Sequence, residues 1–200
     1  MTIRIYGNRS LKTLPGLETR PTPARVRQAV FNVWQGSISG CRWLDLCSGS
    51  GAMGAEALCR EAKLVIGIER SSAACNIIEQ NWQKVGSTSQ QFQLLRGDII
   101  TRLNDLVGQQ FDRIYFDPPY AGALYQPVLA MIDRYQLLAP MGEIAVEHSP
   151  DQTISSLPID LPTLKLCRHK NYGNTSISFY ARQLIDGQKS VRIRGKADEE

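Results

Sequence analysis

Residues 41–54 read Cys41-Arg42-Trp43-Leu44-Asp45-Leu46-Cys47-Ser48-Gly49-Ser50-Gly51-Ala52-Met53-Gly54, and the fold turns on them. Residues 41–47 have the pattern of a short buried strand and residues 52–60 that of a helix. Gly49–Gly54 fits G-x-G-x-x-G and lies where the strand gives way to the helix. Glycines there let the backbone come close to a ligand, at the carboxyl end of a strand where open α/β sheets bind theirs. Residues 63–69 form a second strand whose last residue, Glu69, follows Gly49 by twenty positions. A carboxylate at that tip can accept both hydroxyls of a ribose.

On either side of this turn, short apolar runs alternate with helical periods. Residues 92–96 and 113–117 read as further strands, with a short helix near 100–107 between them. Ala74, Ile77, Ile78, Trp82 and Val85 recur at helical spacing, as do Leu124, Val128, Ile132, Tyr135 and Leu138. Residues 143–147 give a fifth strand, and residues 164–169 and 176–180 pair antiparallel. Such alternation predicts an α/β fold, a doubly wound and mostly parallel sheet with helices on both faces. Ahead of it, residues 3–6 read as a strand. Thr22 and Pro23 read as the cap and first residue of a helix running to about Trp34, with Ala29, Val30, Val33 and Trp34 inward. The expected organisation is a basic N-terminal extension over residues 1–36, the α/β domain over 37–183 and a disordered tail over 184–200.

Composition narrows the classes. The 200 residues suit one domain, and 42% hydrophobic with 21% charged content excludes a disordered, collagenous or coiled-coil chain. No apolar run approaches the ~20 residues that span a bilayer, and Arg4, Asn8 and Arg9 break any signal-peptide core. A soluble, cytoplasmic protein is expected. The five cysteines form no C-x-x-C pair and only two histidines accompany them, so neither a zinc site nor a disulfide framework is expected. Charge is segregated: residues 1–30 carry Arg4, Arg9, Lys12, Arg20, Arg25 and Arg27 against Glu18, a net of +5, while the whole chain carries +4. A basic start on a near-neutral body points to a polyanionic partner.

NAD and S-adenosylmethionine both present an adenosine ribose to a glycine turn of this kind. Asp45, four residues before Gly49, favours the second, because a carboxylate suits a cationic sulfonium and repels a pyrophosphate. The same carboxylate could also cap the turn. The chain is also short for a dehydrogenase, which needs a substrate domain. Asp98, after the third strand, is placed to reach an adenine amine. Cofactor binding is therefore assigned to Asp45, Gly49, Ser50, Gly51, Gly54, Glu69 and Asp98.

Asp117-Pro118-Pro119-Tyr120 follows the fourth strand, which neighbours the first in a doubly wound sheet and so faces the glycine turn. Two prolines remove two backbone donors, leaving carbonyls that only accept; Asp117 adds an acceptor and Tyr120 a ring to stack on a base. An exocyclic amine of a nucleobase is a poor nucleophile, its lone pair being delocalised into the ring. Accepting its two N–H bonds at the Asp117 carboxylate and the Pro118 carbonyl favours a pyramidal nitrogen and aims that lone pair at a methyl group. In-line transfer from sulfur is otherwise a matter of positioning.

With these motifs in place the chain resembles the bacterial 16S rRNA guanine-N2 methyltransferases of the RsmD type. The matching residues are Ile3–Gly7, Arg20-Pro21-Thr22, Arg25-Val26-Arg27, Phe31-Asn32, Leu44–Leu46, Gly49–Gly54, Glu56–Leu58, Glu69 and Asp117–Tyr120. The R-P-T-x-x-R-V-R segment is the most specific of them. Cys47-Ser48 departs from the family, whose members often have a small or aromatic residue followed by alanine. The resemblance implies a seven-stranded Rossmann-like class I methyltransferase fold and S-adenosylmethionine as donor. It also implies a substrate of 16S rRNA, within an assembling 30S particle, and places Arg20, Thr22, Arg25 and Arg27 near the RNA. A monomer is expected.

Methylation of adenine N6 or of a protein glutamine amide, a non-catalytic RNA-binding module, and a dinucleotide oxidoreductase remain as alternatives. Asp at 117, where a glutamine enzyme more usually has Asn, and the basic start both weigh against a glutamine substrate. Trp34, Trp43 and Trp82 are read as packing, and His148 as a capping or packing residue rather than a base. Tyr125 either flanks the base pocket or starts a helix.

Overall fold

The computed structural model describes residues 2–14, 22–119, 123–151 and 161–183. An N-terminal hairpin of β1 (Thr2–Ile5) and β2 (Arg9–Lys12) is followed by α1 (Ala24–Val33). The main sheet then takes β3 (Arg42–Leu46), β4 (Leu64–Glu69), β5 (Gln91–Arg96), β6 (Phe111–Phe116), β7 (Leu138–His148), β8 (Leu164–Asn171) and β9 (Ser176–Arg182). Between them run α2 (Ala52–Cys59), α3 (Ser72–Val85), α4 (Ile99–Asn104) and α5 (Tyr125–Arg134).

The seven strands lie in the order β5-β4-β3-β6-β7-β9-β8. β3 pairs in parallel with β4 on one side and β6 on the other, so the chain reverses its winding between β3 and β6. That reversal opens a crevice at the carboxyl ends of the two strands. The expected α/β sheet is borne out, as is the antiparallel pairing of the last two strands. Residues of α1, α2 and α3 share one apolar cluster on one face, and those of α4 and α5 share another on the opposite face. The strand order is that of the seven-stranded Rossmann-like sheet that the resemblance implies.

Three local expectations differ from the structure. β2 was not expected, because R-S-L-K offers only Leu11 as an apolar residue; the strand forms because Asn81, buried in α3, both donates to and accepts from the backbone of Lys12. The helix expected to begin at Pro23 begins at Ala24. Pro23 is its cap, extended at ψ 139°, and its carbonyl accepts from the amides of Val26 and Arg27. Thr22 makes no capping bond, and its side chain hydrogen-bonds Tyr115 instead. β7 is eleven residues long where five were expected. Pro140 and Gly142 look like a turn in sequence, but the register against β6 slips between Phe111 and Arg113 and absorbs them.

Trp82 fixes the glycine turn. Its indole nitrogen donates to the Gly51 carbonyl at 2.8 Å, and its ring fills the space beside three glycines. A Cβ would stand 2.9 Å from the ring at Gly51, 2.4 Å at Gly54 and 2.6 Å at Gly67. Two of the turn's three glycines are thus required by an internal side chain, with a left-handed φ of 71° at Gly51 as a further demand. Gly49, also left-handed at 57°, would meet only its own turn at 3.9 Å, which leaves its outer side open.

Trp82→Ala is expected to destabilise the protein by about 3–5 kcal/mol, through the void and the missing bond to Gly51. Urea unfolding measures this; a change below about 1 kcal/mol would mean the turn holds its shape without the indole.

Candidate active site

Four carboxylates stand at the carboxyl ends of four adjacent strands. Asp45 is in β3, Glu69 ends β4, Asp117 follows β6 and Glu147 lies one residue before the end of β7. Asp45 is buried, and its Oδ2 accepts from the Gly54 amide at 3.1 Å, so it holds the start of α2. Burial is the main reason its pKa is pushed up to about 8; the Gly54 amide works against that, and the charge of Glu69 adds to it. Glu69 accepts from the Gly49 amide at 2.9 Å with one oxygen and from the Ser71 amide at 2.8 Å with the other. Each oxygen keeps a second lone pair, so the carboxylate can brace the turn and still receive hydroxyls.

Asp117 is half-buried, and its proton affinity is raised well above the usual carboxylate range by desolvation, then by the charges of Glu147 and Asp45. Its amide donates to Leu46, across the crevice between β6 and β3. Pro118 is buried and Pro119 exposed. Tyr120 lies outside the described residues, as does Arg20. Asp45, Glu69 and Asp117 form no ion pair among the described residues. Such acids, facing one another without a cation, form a seat for one.

Cys47 sits inside this ring at a left-handed φ of 61°, which is uncommon for a residue with a side chain. Burial first, then Glu69, Asp117 and Asp45, pushes its thiol up to about 12, so it stays protonated and is no nucleophile. All five cysteines are free thiols. Ser48 is buried, and its hydroxyl donates to the Asp45 carbonyl at 2.9 Å, closing the turn from below. Ser50 is tied through its carbonyl to the Asn81 amide at 3.1 Å, which links the turn to the N-terminal hairpin. Asp98 caps α4, its Oδ1 accepting from Ile100 and Thr101, and it is exposed beyond β5.

Arg27 corrects the expectation of an RNA-facing cation. It is buried, with Nε 2.6 Å from Glu56 and Nη2 2.6 Å from the Arg4 carbonyl. Arg60 grips the other oxygen of Glu56 at 2.9 Å and stacks over Tyr6. Helical spacing places residue 27 beside Val30 and Phe31 on the inward face of α1, so the guanidinium is spent on docking the N-terminal segment against α2. Arg25 is exposed and donates to the Tyr172 carbonyl at 2.9 Å. Thr22 is half-buried against Tyr115.

Sequence reading passed over Glu147. It is buried and accepts from the Tyr115 hydroxyl, while its backbone carbonyl accepts from Tyr125 at 3.1 Å. The signal was available: like Glu69, it is a carboxylate near the carboxyl end of an apolar strand. His148, the neighbour that drew notice, is packed against the Ser178 hydroxyl at 2.9 Å. Tyr125 begins α5 and is buried, and the three tryptophans are core residues.

Comparison with known proteins identifies the family. The family model described as Conserved hypothetical protein 95 matches residues 3–181. The chain is 33% identical over 177 residues to the "Putative rRNA methyltransferase YlbH" of Bacillus subtilis, covering 88% of this chain and 94% of that one. It is 28% identical to the "Ribosomal RNA small subunit methyltransferase D" of Haemophilus influenzae, covering 88% and 90%. Among solved structures, the "Putative methyltransferase yhhF from Escherichia coli" superposes with a TM-score of 0.77 at 28% identity, over 92% of this chain and 99% of that one.

Asp45 contributes to the pH dependence of the ligand-free protein. Its folded pKa, about 8, lies above the ordinary 3.8, so the stability it contributes is full below 3.8 and is lost as pH rises through about 8. Asp45→Asn, which keeps an oxygen for the Gly54 amide, is expected to flatten the fall in stability between pH 6 and 8. Urea titrations at three pH values read this out; equal slopes in parent and variant would mean Asp45 is ionised throughout.

Proposed function

Because the chain belongs to the Conserved hypothetical protein 95 family, the RsmD-type methyltransferases, we propose that it methylates the exocyclic N2 amine of a guanine in 16S rRNA with S-adenosylmethionine as donor. The observation that carries this reading is Asp117, followed by two prolines, at the winding reversal beside Asp45 and the open side of Gly49. Acids without an ion pair fit a cationic cofactor, and the space outside Gly49 lets a ligand approach the backbone. Gly49, Ser50 and Gly51 would hold its body, Asp45 its cationic end, and Glu69 the ribose. Asp98 lies at the end of β5, on the side where an adenine amine would reach. S-adenosylmethionine, when bound, supplies a methyl group on a positively charged sulfur.

Everything else falls to the protein's own groups. The Pro118 carbonyl and the Asp117 carboxylate accept the two N–H bonds of the amine, hold the nitrogen pyramidal and turn its lone pair toward the donor. Asp117 is also the group that receives a proton as the amine is methylated. Its raised proton affinity in the empty site fits that duty, and a cation beside it draws the proton off beforehand. Tyr120, the last residue of the motif, would supply a ring against the base. RNA is the substrate class that best explains the basic start of the chain, and Arg25 is the member of that cluster whose exposure suits an RNA contact. The 30S particle is the context that the small-subunit relatives favour.

Asp117→Ala is expected to abolish methyl transfer to undermethylated 30S particles while leaving cofactor affinity within a few-fold of the parent. Radiolabelled donor followed by mapping of the modified nucleoside reads both the rate and the atom. Transfer at the parent rate would remove Asp117 from the reaction, and a product methylated on adenine N6 would replace guanine as the target. Glu69→Ala is expected to weaken S-adenosylmethionine binding ~10–100-fold, through removal of charge-assisted hydrogen bonds of ~1.5–3 kcal/mol. Calorimetry checks it, and unchanged affinity would exclude Glu69 from the cofactor site.

A further inference from the structure

β8 is the edge strand of the main sheet, and all its residues after Leu164 are exposed. Residues 161–183, which hold β8 and β9, contain Lys165, Arg168, Lys170 and Arg182 and no acid. Strict alternation would send Lys165 to one face and Arg168 with Lys170 to the other. A register shift prevents this. Leu166 pairs with Tyr180 and Arg168 with Phe179, so Cys167 is an inserted residue, its thiol donating to the Phe179 carbonyl at 3.3 Å.

Paired residues of an antiparallel ladder share a face. Lys165 therefore lies with Ala181, Arg168 with Phe179 and Lys170 with Ile177, all on the face where Ile177 and Phe179 join the α1 cluster. The bulge has gathered three cations into one row, spaced by roughly 7–10 Å along the strand. Arg168 stacks over Phe179 and stands 3.9 Å from Glu143, whose carboxylate is also held by the Trp34 indole. Lys165 and Lys170 form no ion pair among the described residues.

The row has a direction. β8 is antiparallel to β9, and β9 to β7, so β8 ends at the same edge of the sheet as β3, β6 and β7. There, one residue past Asn171, the Tyr172 carbonyl receives Arg25 of α1. The sequence Lys165, Arg168, Lys170, Arg25 thus climbs the rim of the sheet to the edge where Asp117 stands.

We propose that this face of β8, continued by Arg25, is a track for the phosphodiester backbone of the RNA flanking the target nucleotide. The inference rests on the reading of an RNA substrate given above. A bare edge strand also needs protection from pairing with other strands, and lysines give that too. The two roles separate experimentally.

The test is the double variant Lys165→Gln/Lys170→Gln, which leaves Arg168 and its packing in place, measured against naked 16S rRNA by filter binding over a range of salt concentrations. The slope of log K against log salt is expected to fall by about 1.5, at roughly 0.7–0.9 for each phosphate no longer neutralised. The KM for RNA should rise, and S-adenosylmethionine affinity, measured by calorimetry, should match the parent's. A variant with the parent's salt slope overturns the track, as does one that merely self-associates; a parent protein that does not bind the RNA overturns it too. If the parent binds RNA and the slope falls but no methyl group is transferred, the track stands and the catalytic reading fails.

Discussion

The indole of Trp82 lies under the turn that joins β3 to α2, and the site depends on that contact. A ring of this size between a helix and a sheet leaves no room for a Cβ at residues 51, 54 or 67, so the turn, the helix start and the middle of β4 must all be glycine there. Its one polar atom is satisfied by the Gly51 carbonyl, which pins the turn from beneath and leaves the outer side of Gly49 open. The turn is thereby held in one shape. In a glycine-rich motif it is tempting to credit every glycine to the ligand; here the first answers to an open approach and the others to a tryptophan thirty residues away in sequence.

Around that turn the strand ends set an electrostatic problem that the folded chain leaves unsolved. Asp45 is buried, Asp117 half-buried, and neither has a cation partner, so each holds its proton more tightly than a carboxylate in water. Natural proteins rarely carry such a deficit for stability's sake, since an apolar residue of equal volume would hold the core better. The acids make sense as one half of a pair whose other half arrives from outside. The cysteine among them, with its thiol pushed up by the same field, adds volume without adding charge.

Much of this was legible in the sequence, and what was not has identifiable causes. The order of strands and helices, the glycine turn, Glu69 at its strand tip and the placement of the Asp117 loop opposite the turn all follow from local periodicity and the rules of doubly wound sheets. The N-terminal hairpin was half missed because β2 has one apolar residue and is held by the side chain of Asn81, a long-range partner that no local pattern reveals. Arg27 was misjudged because charge was weighed before helical phase: position 27 faces inward with Val30 and Phe31, and Glu56 waits there for it. The bulge at Cys167 was invisible for the opposite reason. Strict alternation is the default reading of a strand, and an inserted residue shows only when the partner strand is known.

The charges of the molecule are arranged in two zones, and the RNA substrate proposed above must satisfy both. The carboxyls at the carboxyl edge, Asp45, Glu69 and Asp117, offer a phosphate no cation, so a nucleic-acid backbone gains nothing by lying across them. The rim formed by β8 and the start of α1 is basic and attracts phosphate. A nucleotide can meet both conditions only if its phosphates stay on the rim while its uncharged base reaches inward, edge first, to the acceptors of the Asp117 loop. A base still paired in a helix has that edge covered, so the target must be unpaired or turned out of its stack before it enters. Under the RNA reading proposed above, the separation of carboxyls from cations along one edge of the sheet favours an extruded base.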